Sequence, residues 1–120
     1  MTRFLRYTAI GACATAAHYL VMTVLVERAH VPAWIASGMG AAIGAQLAFF
    51  GNRQFTFDHA GEGAPAWFKF MATALLGALL GMTIVALGVA WGWHYLAAQV
   101  LATLCSLVLT YAINRRWTFG

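Results

Sequence analysis

Asn52-Arg53-Gln54-Phe55-Thr56-Phe57 returns 62 residues later as Asn114-Arg115-Arg116-Trp117-Thr118-Phe119. Each copy closes a long apolar run, so a greasy segment gives way abruptly to Asn and Arg and then to aromatic residues. Transmembrane helices leave a bilayer in this way. In a chain of 120 residues, that spacing makes the second half a repeat of the first.

The composition around the two motifs fits a bilayer. Hydrophobic residues make up 62% of the chain and charged residues 8%, where soluble proteins carry roughly 25% charge, so this is an integral membrane protein. The length accommodates about four spans of roughly 20 residues and no soluble domain besides. The expected fold is all-α: one four-span domain over residues 1–120, with repeat one at 3–57, a linker at 58–66 and repeat two at 67–119. The spans run from about Tyr7 to Val26, Trp34 to Gly51, Phe70 to Trp91 and Tyr95 to Ile113. Pro32 is expected in the first turn of the second helix, where its missing N–H does no harm. The apolar run after Arg3 and Arg6 is too long for a signal peptide and lacks a clear cleavage pattern after it, so it reads as the first span. Cys13 and Cys105 lie in separate apolar runs and read as small packing residues.

Charge sets the orientation. Arg3, Arg6, Arg53, Lys69, Arg115 and Arg116 fall on one side of the spans, and Arg28, next to Glu27, on the other. Lys and Arg concentrate on the cytoplasmic side, so both termini and the linker are expected there. The net charge of +4 then reflects topology and anionic lipid headgroups, not nucleic acid. Trp34, Trp91, Trp93 and Tyr95 mark the outer interface, and Tyr7, Trp67 and Trp117 the inner one. With an even number of spans per half, the repeats are parallel hairpins related by a pseudo-two-fold axis along the membrane normal. Phe4-Leu5-Arg6-Tyr7 accordingly resembles Trp67-Phe68-Lys69-Phe70.

Small residues recur every fourth position in the second span, at Ala36, Gly40, Gly44 and Ala48, ending in Asn52. The fourth span repeats the series as Ala98, Ala102, Ser106 and Thr110, ending in Asn114. Four residues turn a helix by about 400°, so each series forms a drifting ridge of the kind that lets helices cross closely. Gly40, Gly44, Ala48, Ala102 and Ser106 are therefore expected to pack helices. The two ridges are expected to meet each other, or those of a symmetry mate, with Asn52 and Asn114 at the cytoplasmic mouth. Gly77 and Gly81 form a shorter version in the third span.

No enzyme signature is visible. There is no phosphate-binding Gly-Lys-Ser/Thr loop, no intramembrane pair of carboxylates and no His/Cys cluster, so no catalytic residue, metal or cofactor is expected. The polar side chains within the spans are His18, Gln46 and Gln99, at depths of roughly 17, 9 and 22 Å from the cytoplasmic edge at about 1.5 Å per residue. They form either a sparse polar path for a hydrated headgroup or hydrogen-bonded glue between helices. The Asn-Arg pairs also have two readings. Arg53, Arg115 and Arg116 anchor span ends by snorkelling while Asn52 and Asn114 cap the last carbonyls. Alternatively, Asn52, Arg53, Asn114, Arg115, Arg116 and Lys69 form a basic pocket for a lipid phosphate, which suits the bidentate guanidinium fork.

The four-span plan, the Arg3-Phe4-Leu5-Arg6-Tyr7 start and the doubled Asn-Arg-x-aromatic-Thr-Phe ending resemble the GtrA-like family of small bacterial membrane proteins across essentially the whole chain. One departure is Gln54 where the second motif has Arg116, so a two-fold site would be asymmetric. The resemblance implies a translocase in the bacterial inner membrane that moves a polyprenyl-phosphate-linked monosaccharide, such as bactoprenol-phosphate glucose, to the outer leaflet. A membrane glycosyltransferase is then the expected partner, beside membrane lipids, and a homo-oligomer, most simply a dimer, the expected working unit. The alternatives are a small multidrug-type exporter, which the missing intramembrane carboxylate disfavours, and a non-transporting scaffold for a glycosyltransferase. The charge pattern makes a direct prediction in a Cys13→Ala, Cys105→Ala background. A membrane-impermeant thiol reagent should label Ala29→Cys in intact spheroplasts, and Gly61→Cys only in inverted vesicles.

Overall fold

The computed structural model describes residues 2–55 and 64–113. They form four helices: α1 (Thr2–Glu27), α2 (Ala33–Phe55), α3 (Ala64–Ala90) and α4 (Tyr95–Ile113). No strand occurs among the described residues. Each helix contains a stretch long and apolar enough to cross a membrane, namely Thr8–Glu27, Ala33–Gly51, Trp67–Ala90 and Tyr95–Ile113. At about 1.5 Å per residue such stretches cover roughly the 30 Å hydrocarbon core.

The helices overrun their apolar spans. α2 continues through Asn52 and Arg53 to Phe55, so Asn52 lies inside the helix and does not cap it. The helix ladder satisfies its own backbone groups wherever it meets water, and Asn, Arg, Gln and Phe all tolerate helical geometry. α3 likewise starts at Ala64, within the segment expected to be linker. Pro65 falls in its first turn, where an N–H is not needed.

The connections are tight. α1 is followed by residues 28–32, where Val31 N–H reaches the Leu25 carbonyl at 3.0 Å and His30 adopts a left-handed φ of 56°. The Pro32 carbonyl accepts from Ala36 N–H at 3.0 Å, so Pro32 closes the first turn of α2 from the cap position, where its missing N–H is not needed. α3 ends on a glycine cap: Gly92 has φ 92° and Trp93 N–H bonds back to the Gly88 carbonyl at 2.9 Å. Such short links force α1 onto α2 and α3 onto α4, and α2 also packs on α3. Side chains bring α1 to α4, the Tyr19 hydroxyl lying 2.7 Å from Thr103 Oγ1 and the Tyr95 hydroxyl donating to Glu27 Oε2 at 2.8 Å.

The glycines of the small-residue ridges pack within each hairpin, and the two ridges share one buried cluster only toward the short loops, at Ala36, Ala98 and Ala102. A Cβ at Gly40 would lie 2.6 Å from the His18 carbonyl oxygen, and one at Gly44 would lie 3.0 Å from that of Ala14. In the other hairpin the glycines sit on the opposite partner. A Cβ at Gly77 of α3 would meet Thr110 at 2.8 Å, and one at Gly81 would meet Ser106 and Ala102 of α4. At each close crossing one helix supplies glycine, which is all the backbone approach requires.

The fully buried apolar cluster of Met22, Ala36, Val85, Ala98 and Ala102 lies toward the short loops. Leu20, Leu104 and Val108 point outward, Val108 being 72% exposed. A bilayer is as apolar as these side chains, so close packing and interhelical hydrogen bonds hold the helices together. The glycine contacts yield a paired expectation for thermal melting of the detergent-solubilised protein. Gly40→Ala should lower stability by about 1–3 kcal/mol through overpacking against backbone. Gly11→Ala, whose Cβ meets nothing within 4 Å, should raise it by up to about 1 kcal/mol through helix propensity.

Candidate functional site

Glycine and alanine on the inward faces bring the backbones close at the crossings and leave space where the helices diverge. The result is a central cavity of about 270 Å³ lined by all four helices. α1 contributes Ala14, Thr15 and His18, α2 contributes Ser37, Gly44 and Ala48, α3 contributes Phe70, Thr73, Gly77 and Gly81, and α4 contributes Gln99, Thr103, Ser106 and Thr110. No Asp, Glu, Lys or Arg is among the described lining residues. The wall is neutral, alternating methyl surface with hydroxyls, one amide and one imidazole.

A polar layer shuts the cavity toward the short loops. Ser37 Oγ donates to Gln99 Oε1 at 2.5 Å, Gln99 Nε2 donates to Thr103 Oγ1 at 3.1 Å, and the Tyr19 hydroxyl reaches the Gln99 carbonyl at 3.3 Å. Ser37 and Gln99 are each only 2% exposed and stand 62 residues apart, the interval of the repeated motif. Met22, Ala36, Val85 and Ala98 pack just beyond them with no exposed surface. In the other direction the lining extends to Ala48, Phe70 and Thr110.

His18 faces Gly40 and tilts against Tyr19, with ring centroids 5.4 Å apart. Its Nε2 is buried without a hydrogen-bond partner among the described residues, which is uncommon for a buried polar atom. The structure therefore brings His18 and Gln99 to one cavity. Gln46 lies elsewhere, on the contact between α2 and α3, where Oε1 accepts from Trp67 Nε1 at 3.3 Å and Nε2 lies 3.0 Å from Met71 Sδ. Of the packing residues, Gly44, Ala48 and Ser106 line the cavity, while Gly40 and Ala102 are buried at the crossings.

Lys69 is exposed near the start of α3, and Arg6 is exposed near the start of α1. The side chains of Asn52 and Arg53, and the whole of Asn114, Arg115 and Arg116, lie outside the described residues.

Residues 6–119 match the family described as GtrA/DPMS, transmembrane domain. The chain belongs to this family. Two curated relatives, from Shigella phages SfII and SfV, are each described as a bactoprenol-linked glucose translocase. They are 35% identical to this chain over 54 residues, 45% of this chain and 45% of each relative. The match thus spans less than half of those relatives' length. No solved structure matches. With four apolar helices and this assignment, the GtrA/DPMS chain is a multi-pass membrane protein.

Sequence reasoning passed over Ser37, Thr73, Thr103 and Tyr19 as members of this GtrA/DPMS site. A Ser or Thr in an apolar helix ordinarily bonds its own preceding turn, so nothing in composition singles these out. The repeat interval could have flagged Ser37, since it is the counterpart of Gln99. The layer that Ser37, Thr103 and Tyr19 form with Gln99 is tightly coupled. Gln99→Leu should cost about 1–3 kcal/mol by stranding the Ser37 hydroxyl. Adding Ser37→Ala should recover much of that loss, as a double-mutant cycle on detergent melting would read out.

Proposed function

We propose that this chain carries a polyprenyl-phosphate-linked monosaccharide from the cytoplasmic to the outer leaflet of a bacterial inner membrane. The central cavity carries this reading: a neutral, hydrogen-bonding space enclosed by four helices whose outer faces suit lipid. Its volume of about 270 Å³ lies near the lower edge of the roughly 300–1,000 Å³ usual for small-molecule pockets, a size for one sugar ring and not for an oligosaccharide. The GtrA/DPMS assignment and the names of the phage relatives support the substrate class.

In this reading the chain is two parallel hairpins about a pseudo-two-fold, supported by the pairing of Ser37 with Gln99 and the equal burial of Ala36 and Ala98. Both termini face the cytoplasm. Lys69, Arg53, Arg115 and Arg116, with Asn52 and Asn114, gather the lipid phosphate at the inner headgroup level. The sugar enters the cavity from that side, past Thr110 and Ser106 toward His18 and Gln99, and the polyprenyl tail stays in the bilayer. Gln46 holds α2 to α3 beside this path. The layer of Ser37, Gln99 and the apolar residues beyond it closes the outer side, so delivery requires a second conformation in which that layer parts. The chain supplies a route and no catalysis. A second copy of the chain and a membrane glycosyltransferase that makes the lipid-linked sugar complete the working unit.

Flipping of a defined polyprenyl-phosphate hexose in proteoliposomes tests the proposal. Arg53→Ala combined with Arg115→Ala should slow flipping at least tenfold. Loss of glycosyltransferase recruitment with unchanged flipping would instead favour a scaffold. Moving one negative charge outward gains about 2.3 kcal/mol per 100 mV, so an interior-negative potential should accelerate outward movement. Rates indifferent to potential would remove that coupling.

A further inference from the structure

A hydroxyl carries one proton and two lone pairs, and for several of the hydroxyls around this cavity the proton is already committed. Ser37 donates to Gln99 Oε1, Ser106 donates across the helix contact to the Gly77 carbonyl at 2.8 Å, and Thr110 donates to the Ser106 carbonyl at 2.8 Å. What these groups still offer is lone pairs. The backbone N–H groups behind them belong to the helix ladders. Such a wall meets hydroxyl donors well. It offers a carboxylate or phosphate, which can only accept, little beyond the Thr15 hydroxyl and the second N–H of Gln99, and no Lys or Arg is among the described lining residues to offset the desolvation of an anion.

We propose that the cavity is a site for an uncharged, hydroxyl-rich sugar ring and discriminates against sugars that carry a carboxylate or an additional phosphate. This selectivity rests on the translocation reading above. The lipid's own phosphate, in the loaded state, stays outside the cavity at the basic end of the bundle.

The test uses the full chain in proteoliposomes with two substrates of equal polyprenyl length, one bearing a neutral hexose and one the corresponding hexuronic acid. The hexose should move at least tenfold faster. Equal rates would overturn the selectivity and leave the translocase reading standing, whereas movement of neither substrate would overturn both. Thr110→Val combined with Ser106→Ala removes two acceptors and should slow the hexose about thirtyfold, given roughly 1 kcal/mol per hydrogen bond, while Thr83→Val, which removes an exposed hydroxyl outside the cavity, keeps the wild-type rate. A valine-alanine variant that is well folded by detergent melting, and moves the hexose as fast as wild type, would overturn the assigned role of these hydroxyls.

Discussion

Close backbone approach at glycine is the constraint on which the rest of this structure depends. In lipid there is no hydrophobic drive to press one apolar helix on another, so association relies on contact density and on hydrogen bonds between helices. Gly40 and Gly44 let α2 settle on the carbonyls of His18 and Ala14, and Gly77 and Gly81 let α3 receive Ser106, Thr110 and Ala102. Because the crossings lie within hairpins, the inward faces of α2 and α4 are left apart over much of their length. The cavity is the space between them. The same small residues thus hold the hairpins together and keep the centre from filling.

Polar groups in such a centre must be satisfied by the protein itself, and most of them are. Ser37, Gln99, Thr103 and Tyr19 bond one another across three helices, and Ser106 bonds the backbone of its neighbour. These bonds leave a wall whose remaining capacity is mostly to accept. His18 lines the cavity, and its Nε2 stands out against that background as a buried atom with no partner among the described residues.

Much of the architecture was legible before any coordinates. Four spans followed from composition and run length, and the observed apolar stretches differ from the expected ones by a few residues at their ends. The ends were misjudged at Asn52 and Ala64 for one physical reason. Hydropathy reports where a helix meets water, while the backbone ladder stops only where geometry or a cap ends it. The ridges at Gly40, Gly44, Ala102 and Ser106 were legible as packing surfaces, but their partners were not. A stripe of small residues says that something comes close without saying what.

By itself the sequence determined that this is a membrane protein with four apolar runs long enough to span, and that an Asn-Arg motif recurs after two of them at an interval of 62 residues. Those properties are set by composition and periodicity, which act locally along the chain. Only the tertiary structure decided that the ridge glycines pack inside their own hairpins, that Ser37 meets Gln99, that His18 joins them, and that Gln46 turns away to Trp67. Helix rotation about its axis and the choice of neighbour decide which side chains converge, and both are set by the summed fit of several helices at once.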